Sequence, residues 1–310
     1  MKPPSKSEGL EPPDALMGLI REEVSSPPPA AVSAIAEAAR LRHGDAIEAI
    51  LFYGSVLRDR DDAGRIIDLY LLGDSYERLH GGRVMRKLNA LLPPNVYYVE
   101  TEFEGRTLRA KYALMTLDDF ERLTSPRAFH PYFWARFAQP SAIAWAKDDQ
   151  ARKRVESALA RSVTTLLTVS RPLMPGQVDS RRLWTGAFQA TYATELRAEP
   201  PERAAQIYEA GKQRFDRIAE ILLPALPVPD EIAQRDARRQ WAGRRRLGKL
   251  LSVLRLVKAA FTFQDGPDYL AWKISRHSGV KVELTDWQRR HPLLATPSLF
   301  WRLYRKGAFR

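Results

Sequence analysis

The sequence predicts an α+β fold: a small mixed β-sheet with helices, followed by a helical region and a basic amphipathic C-terminal segment. Three observations predict it. Apolar runs at residues 49–52 and 66–72 have the length of buried strands. Residues 96–103 and 107–115 are strand-like and flank Glu104-Gly105, a turn signal. From Leu117 onward the apolar spacing is mostly helical, interrupted by proline-rich breaks.

Taken in order, residues 1–29 carry two Pro-Pro pairs and end in Ser-Ser-Pro-Pro-Pro, which predicts a loosely ordered arm. Residues 30–41 are alanine-rich and helical. A strand leads to Phe52, a second follows at 66–72, and a helix over 75–92 stops at Pro93-Pro94. The hairpin completes a sheet with helices packed on one face, assigned to residues 30–120. Asp118-Asp119 starts a helix through Leu123, and 152–169, 180–197 and 201–222 are helical; together these define a region over 121–228. The run 223–229, with three prolines, is the clearest linker. Residues 229–310 form the basic segment.

Composition narrows the function classes. An apolar fraction of 45% and seven tryptophans argue for a folded chain. Without cysteine there are neither disulfides nor thiolate metal sites, which fits a reducing compartment. The five histidines are scattered without metal-ligand spacing, so zinc chemistry is not expected. A net charge of +12 predicts an anionic partner: nucleic acid, an anionic bilayer or a phosphorylated small substrate. No secretory signal is evident, and Glu8, Glu11 and Asp14 make a poor mitochondrial presequence. No run is long and uncharged enough to span a bilayer, so a cytoplasmic protein, free or peripheral on the inner membrane face, is expected.

The most telling pattern is Tyr53-Gly54-Ser55 after the first strand, with Asp68 on the next. Glycine lets the backbone approach a triphosphate, and the serine hydroxyl and nearby amides can donate to phosphate oxygens. A carboxylate on the neighbouring strand can hold Mg²⁺ against the same phosphates. That arrangement is the signature of nucleotidyltransferases. Tyr70 stands where many of them carry a second aspartate. Glu100 and Glu102, which share a strand face, are the candidates for the missing metal ligand; alternating glutamates on a solvated strand are the ordinary alternative.

Other candidates carry positive charge. Lys111 can meet phosphate as a point charge, or be a surface lysine. Arg136 can clamp phosphate bidentately, or stack on Phe133, Trp134 and Phe137. Tyr192, Glu195 and Arg197 lie close together on one predicted helix, where Arg197 can bind phosphate or simply pair with Glu195. Over residues 231–261, Leu250, Leu254 and Phe261 recur at helical spacing with basic residues largely opposite. Arg244, Arg245, Arg246, Lys249 and Lys258 would suit the headgroups of an anionic membrane. A solvated helix packing its leucines on the core is the plainer reading. The stretch 300–306 again mixes aromatic and basic residues.

Together these segments resemble the mitochondrial-type phosphatidate cytidylyltransferases, the translocator assembly and maintenance protein family. The resemblance rests on Tyr53-Gly54-Ser55, Ile67-Asp68, Val96-Tyr97-Tyr98, Lys111-Tyr112, Leu117-Asp118-Asp119-Phe120, Arg136 with Pro140, Tyr192 to Arg197, and Lys258 to Thr262, kept in order over residues 50–275. Departures include Val56, Ala113 and Ala135 at glycine positions, Gln139 for lysine, Glu195 for aspartate and Val99 for asparagine. The resemblance implies transfer of CMP from CTP to phosphatidate in an anionic membrane, giving CDP-diacylglycerol and pyrophosphate, with Mg²⁺. It also implies Asp68 and Lys111 as catalytic and Tyr53, Gly54, Ser55, Arg136, Tyr192, Glu195 and Arg197 as nucleotide-binding. Two alternatives stay open: a nucleotidyltransferase acting on RNA or a small molecule, and a non-catalytic scaffold of the same fold. DNA is not an expected partner, and the oligomeric state is not legible.

Overall fold

The structure, a computed structural model, describes residues 10–59, 64–196, 200, 202–262, 285, 287 and 288. It is α+β, the class the sequence predicts. Helices α1 (Asp14–Ser25) and α2 (Ala30–Leu41) lead into strand β1 (Ile47–Tyr53), then α3 (Ser55–Asp59) and β2 (Ile66–Gly73). Helices α4 (Tyr76–Leu79) and α5 (Arg83–Leu91) precede the hairpin of β3 (Asn95–Phe103) and β4 (Arg106–Thr116). Next come α6 (Leu117–Leu123), α7 (Tyr132–Phe137) and β5 (Ser141–Ala146). Helices α8 (Asp149–Ser170), α9 (Ser180–Tyr192), α10 (Glu202–Ala210), α11 (Lys212–Leu222) and α12 (Glu231–Thr262) follow.

Among the described residues the five strands form one sheet in the order β3-β4-β2-β1-β5. All pairs are antiparallel except β2 with β4. One rung matters for function. Tyr53 of β1 is the partner of Asp68 on β2, Asp68 of Lys111 on β4, and Lys111 of Tyr98 on β3. Register partners project from the same face, so these four side chains form a row across the sheet.

Several expectations are corrected. Residues 14–25 are not a loose arm: Leu16, Leu19, Ile20 and Val24 recur at helical spacing and are buried. Helices cover both faces of the sheet rather than one. Helix α2 packs Val32, Ile35 and Ala39 with Ile50, Phe52, Leu69 and Leu71. On the other face Ala49, Leu51, Tyr70 and Leu72 meet α1 and α6 to α9. The reason is written in β1 and β2, which are apolar at consecutive positions instead of alternating. The sheet also does not end at residue 120, because β5 pairs with β1. The sheet and the following helices therefore share one core. Helix α8 lies at its centre, with Val155, Leu159, Val163 and Leu166 buried. It starts at Asp148, whose carboxylate accepts from the Ala151 amide at 2.8 Å.

The expected helix over 75–92 is split in two at His80-Gly81-Gly82, and α9 stops at Tyr192 instead of continuing to 197. Among the described residues no helix is long and apolar enough to cross a membrane. Arg197, the side chain of Phe261 and the stretch 300–306 lie outside the described residues.

Candidate functional site

Where β1 ends, the chain turns at Gly54 with φ +89°, in the left-handed region, before entering α3. Glycine is needed here twice over, because an added Cβ would also stand 2.8 Å from Oδ2 of Asp68. The other Asp68 oxygen, Oδ1, lies 3.1 Å from Nζ of Lys111. The Gly-Ser turn, the carboxylate and the lysine thus converge at one end of the sheet. The turn follows β1 and the acid stands on the adjacent strand β2, as the sequence predicts.

This corner opens into a cleft of about 960 Å³. Its walls come from several parts of the chain, Arg203 and Ile207 of α10 and Phe215 of α11 among them. Tyr53 and Asp68 belong to the sheet, Gly54 and Ser55 to the turn and the start of α3, and Tyr132 and Arg136 to α7. Tyr192 and Glu195 come from the end of α9 and the bend beyond it, and Arg255 and Lys258 from α12. Six of the residues expected to bind nucleotide therefore line a single cleft, although Tyr192 and Glu195 do not share a helix. Basic lining residues (Arg58, Arg136, Arg203, Arg255, Lys258) outnumber the acidic ones, Asp68 and Glu195. Such a cleft favours an anionic ligand.

Arg136 donates from Nη1 to the Tyr53 hydroxyl at 3.2 Å and lies over the rings of Tyr53 and Tyr132. Burial pushes the Tyr53 phenol up, while the Arg136 charge opposes the shift. Tyr53 therefore stays neutral and holds the guanidinium beside the Gly54 turn. Arg136 thus stacks on Tyr53 and Tyr132 rather than on Phe133, Trp134 and Phe137, and it lines the cleft.

Two sets of candidates are displaced from the roles expected of them. Glu100 and Glu102 do not join Asp68. They sit on the edge strand β3, and β4 lies between, so two strand spacings of roughly 10 Å separate them from β2. Both are already engaged: Glu100 accepts from Arg109 at 3.0 Å and from the Tyr98 hydroxyl, and Glu102 from Thr107. Among the described residues no three His, Asp or Glu side chains cluster as a metal cage. At the Gly54 turn Asp68 can offer a carboxylate oxygen to Mg²⁺, which suits a metal that arrives with phosphate ligands and keeps some of its water.

The basic residues of α12 also divide. Arg245, Arg246 and Lys249 are exposed, whereas Arg244 and Lys258 are only 7% exposed and turn inward. Arg244 lies over Phe129 and Trp241. Lys258 donates to the carbonyls of Leu92 and Pro94 and to Asn89, pinning α12 to the entry of β3. Burial, with the Arg255 charge, pulls its pKa down to about 8. Meanwhile Leu250, Val253, Leu254 and Val257 face outward. The helix is turned relative to the plainer expectation: leucines outside, part of the basic face against the protein. Glycine at 248 permits this seating, since a Cβ there would clash with the Thr194 carbonyl oxygen.

Sequence reasoning missed Tyr132 and Arg255. Tyr132 stands in an aromatic run that reads as core, and Arg255 is one of many cations in α12; only the contact between them marks either. No family model matches the chain, and neither does any curated protein. Among solved structures it is similar to a nucleotidyltransferase-like protein from Exiguobacterium sibiricum 255-15, at 12% identity over 89% of this chain and 91% of that one, with a TM-score of 0.25. Likeness of that degree says nothing about substrate.

Proposed function

We propose that the chain is a nucleotidyltransferase that transfers CMP from CTP to phosphatidate at a membrane surface. The observation that carries the reading is the Gly54 turn packed against Asp68 at the mouth of a cation-rich cleft. In the proposed reaction a phosphate oxygen of the acceptor attacks the α-phosphorus in line. The new P–O bond forms as the bond to the bridging oxygen breaks, and pyrophosphate leaves. Gly54 and Ser55 cradle the β- and γ-phosphates, Lys111 neutralises charge beside them, and Asp68 is the residue that would hold a Mg²⁺. The metal, when bound, supplies charge neutralisation across the phosphates. Positioning and electrostatics carry most of the rate enhancement in such chemistry. The attacking phosphate is already ionised at neutral pH, so no general base is required.

The lipid acceptor is supported by α12. Leu250, Val253, Leu254 and Val257 follow an i, i+3, i+4, i+7 pattern and are 44–56% exposed, with Arg245, Arg246 and Lys249 exposed beside them. Each cation near an anionic surface contributes about 1 kcal/mol of attraction. The protein would then dock reversibly on the cytoplasmic face of a membrane. The test is pyrophosphate release from CTP, Mg²⁺ and phosphatidate vesicles, wild type beside Asp68→Ala. Release that requires phosphatidate and disappears in the variant supports the reading. CTP binding without release moves the acceptor elsewhere, to RNA or a small molecule, and no nucleotide binding at all leaves the scaffold reading.

A further inference from the structure

Tyr132 carries two guanidinium groups. The Arg255 carbon Cζ lies 4.1 Å from the centre of its ring, and that of Arg136 lies 4.9 Å from it. Two like charges held on one ring repel each other, so the pair is built to be neutralised. Among the described residues no carboxylate does this: Arg255 otherwise donates from Nε to the Pro93 carbonyl at 3.3 Å, and Arg136 donates to the Tyr53 hydroxyl. Among the described residues Nη1 of Arg255 is buried with no hydrogen-bond partner, which is costly for a charged donor. Lys258 nearby is not a competitor for a ligand, since three protein oxygens occupy its ammonium.

We infer that Arg255 and Arg136, stacked together on Tyr132, form a subsite for a phosphate monoester, separate from the phosphate cradle at Gly54 and Asp68. A monoester dianion matches two guanidinium forks in charge and in geometry. The Arg136–Tyr53 hydrogen bond places this subsite next to the Gly54 turn, where an acceptor phosphate is needed. Leu256, which lines the same cleft and is 62% exposed, leaves an apolar exit toward the outer face of α12 for a tail attached to the phosphate. The role of acceptor rests on the transferase reading; the binding of phosphate does not.

Two measurements on the full chain test the subsite. The first is the rise in Tm caused by inorganic phosphate, by glycerol 3-phosphate and by phosphatidate vesicles, each without nucleotide. The wild type and Asp68→Asn should gain Tm equally, whereas Arg255→Gln should lose most of the gain and Arg255→Lys should retain part. A gain in Arg255→Gln equal to that of wild type overturns the subsite, whatever the activity. So does the absence of any gain in wild type with all three probes. A response to vesicles alone assigns the subsite to a lipid headgroup, and a response to the soluble esters assigns it to free phosphate monoesters. The second measurement is kinetic: Arg255→Gln should raise the KM for the phosphate acceptor at least tenfold and leave the Kd for CTP within twofold. Parallel loss of CTP affinity would give Arg255 to the triphosphate and overturn the inference. If wild type lacks transferase activity while Arg255→Gln abolishes the phosphate-induced gain, the proposed reaction fails and the subsite stands.

Discussion

Gly54 and Asp68 occupy each other's space: the carboxylate Oδ2 sits 2.8 Å from the point where any other residue at 54 would place its Cβ. Turn and acid are thus fitted as one object, and the glycine also adopts φ +89°. Gly54→Ala should therefore displace Asp68 as well as strain the turn. We expect pyrophosphate release to fall by about a hundredfold, the scale of a misplacement near 1 Å. The accompanying loss of stability should be about 1–2 kcal/mol, the left-handed penalty for an L-residue. Normal turnover in Gly54→Ala would show that the turn does not touch the reacting phosphates.

The contrast within α12 gives a paired experiment. Reversing Arg245, Arg246 and Lys249 to glutamate should abolish flotation with anionic vesicles and leave Tm within a degree or two. Arg244→Ala should do the opposite. Burial lowers the pKa of this arginine to about 10, yet it packs on Phe129 and Trp241, so its loss should cost stability and spare flotation. Unchanged flotation after the triple reversal would remove the membrane role.

Seating of α12 depends on Gly248, whose added methyl would meet the Thr194 carbonyl oxygen. Gly248→Ala should push the helix away from the bend that carries Glu195. The expected signature is overpacking, about 1–3 kcal/mol of destabilisation by denaturant titration, together with weaker nucleotide binding. A gain in stability, as alanine gives in an open helix position, would mean that the contact is not tight.

Acid should destabilise the fold through buried histidines. Burial, with the charges of Lys258 and Arg86, lowers His80 from 6.5 to about 4, and His43 and His130 are also pulled to about 4, by burial first. The amide of Asn89 sits 2.6 Å from His80 Nε2, and a proton added there would set two donors against each other. A histidine with a depressed folded pKa binds its proton first in the unfolded chain. Its stability contribution is thus intact above pH 6.5 and is lost as pH falls toward 4. Each contributes a slope of at most about 1.4 kcal/mol per pH unit in that window. Removing one, as His80→Phe, should flatten the pH dependence of Tm between 6.5 and 4. An unaltered slope would mean that His80 titrates normally.

Legibility followed the range of the interactions. The Gly-Ser turn, Asp68 and the hairpin were readable because each is local: a turn residue, a strand period, a Glu-Gly corner. The metal candidates Glu100 and Glu102 failed because strand order is not local; nothing in the residues says that β4 inserts between β2 and β3. Helix α12 was found but turned wrongly at Arg244 and Lys258. A mean charge pattern cannot reveal that carbonyls at Leu92 and Pro94 wait for an ammonium far along the chain. Strand β5 was hidden for a related reason, being short and lying between helices, with β1 as its partner.

Helix α12 is fastened at three points. Trp241 donates to the Val169 carbonyl at 3.1 Å and meets Trp134 edge-on, Gly248 presses on Thr194, and Lys258 holds the entry of β3. Among the described residues the wall that α12 gives the cleft is therefore also the last part of it to leave the ribosome. A nascent chain halted before residue 241 would already possess the turn, the aspartate and the lysine, yet its cleft would gape on one side and leave Trp134 without its partner. Closure of the cleft and burial of that aromatic patch would arrive together, once α12 has docked.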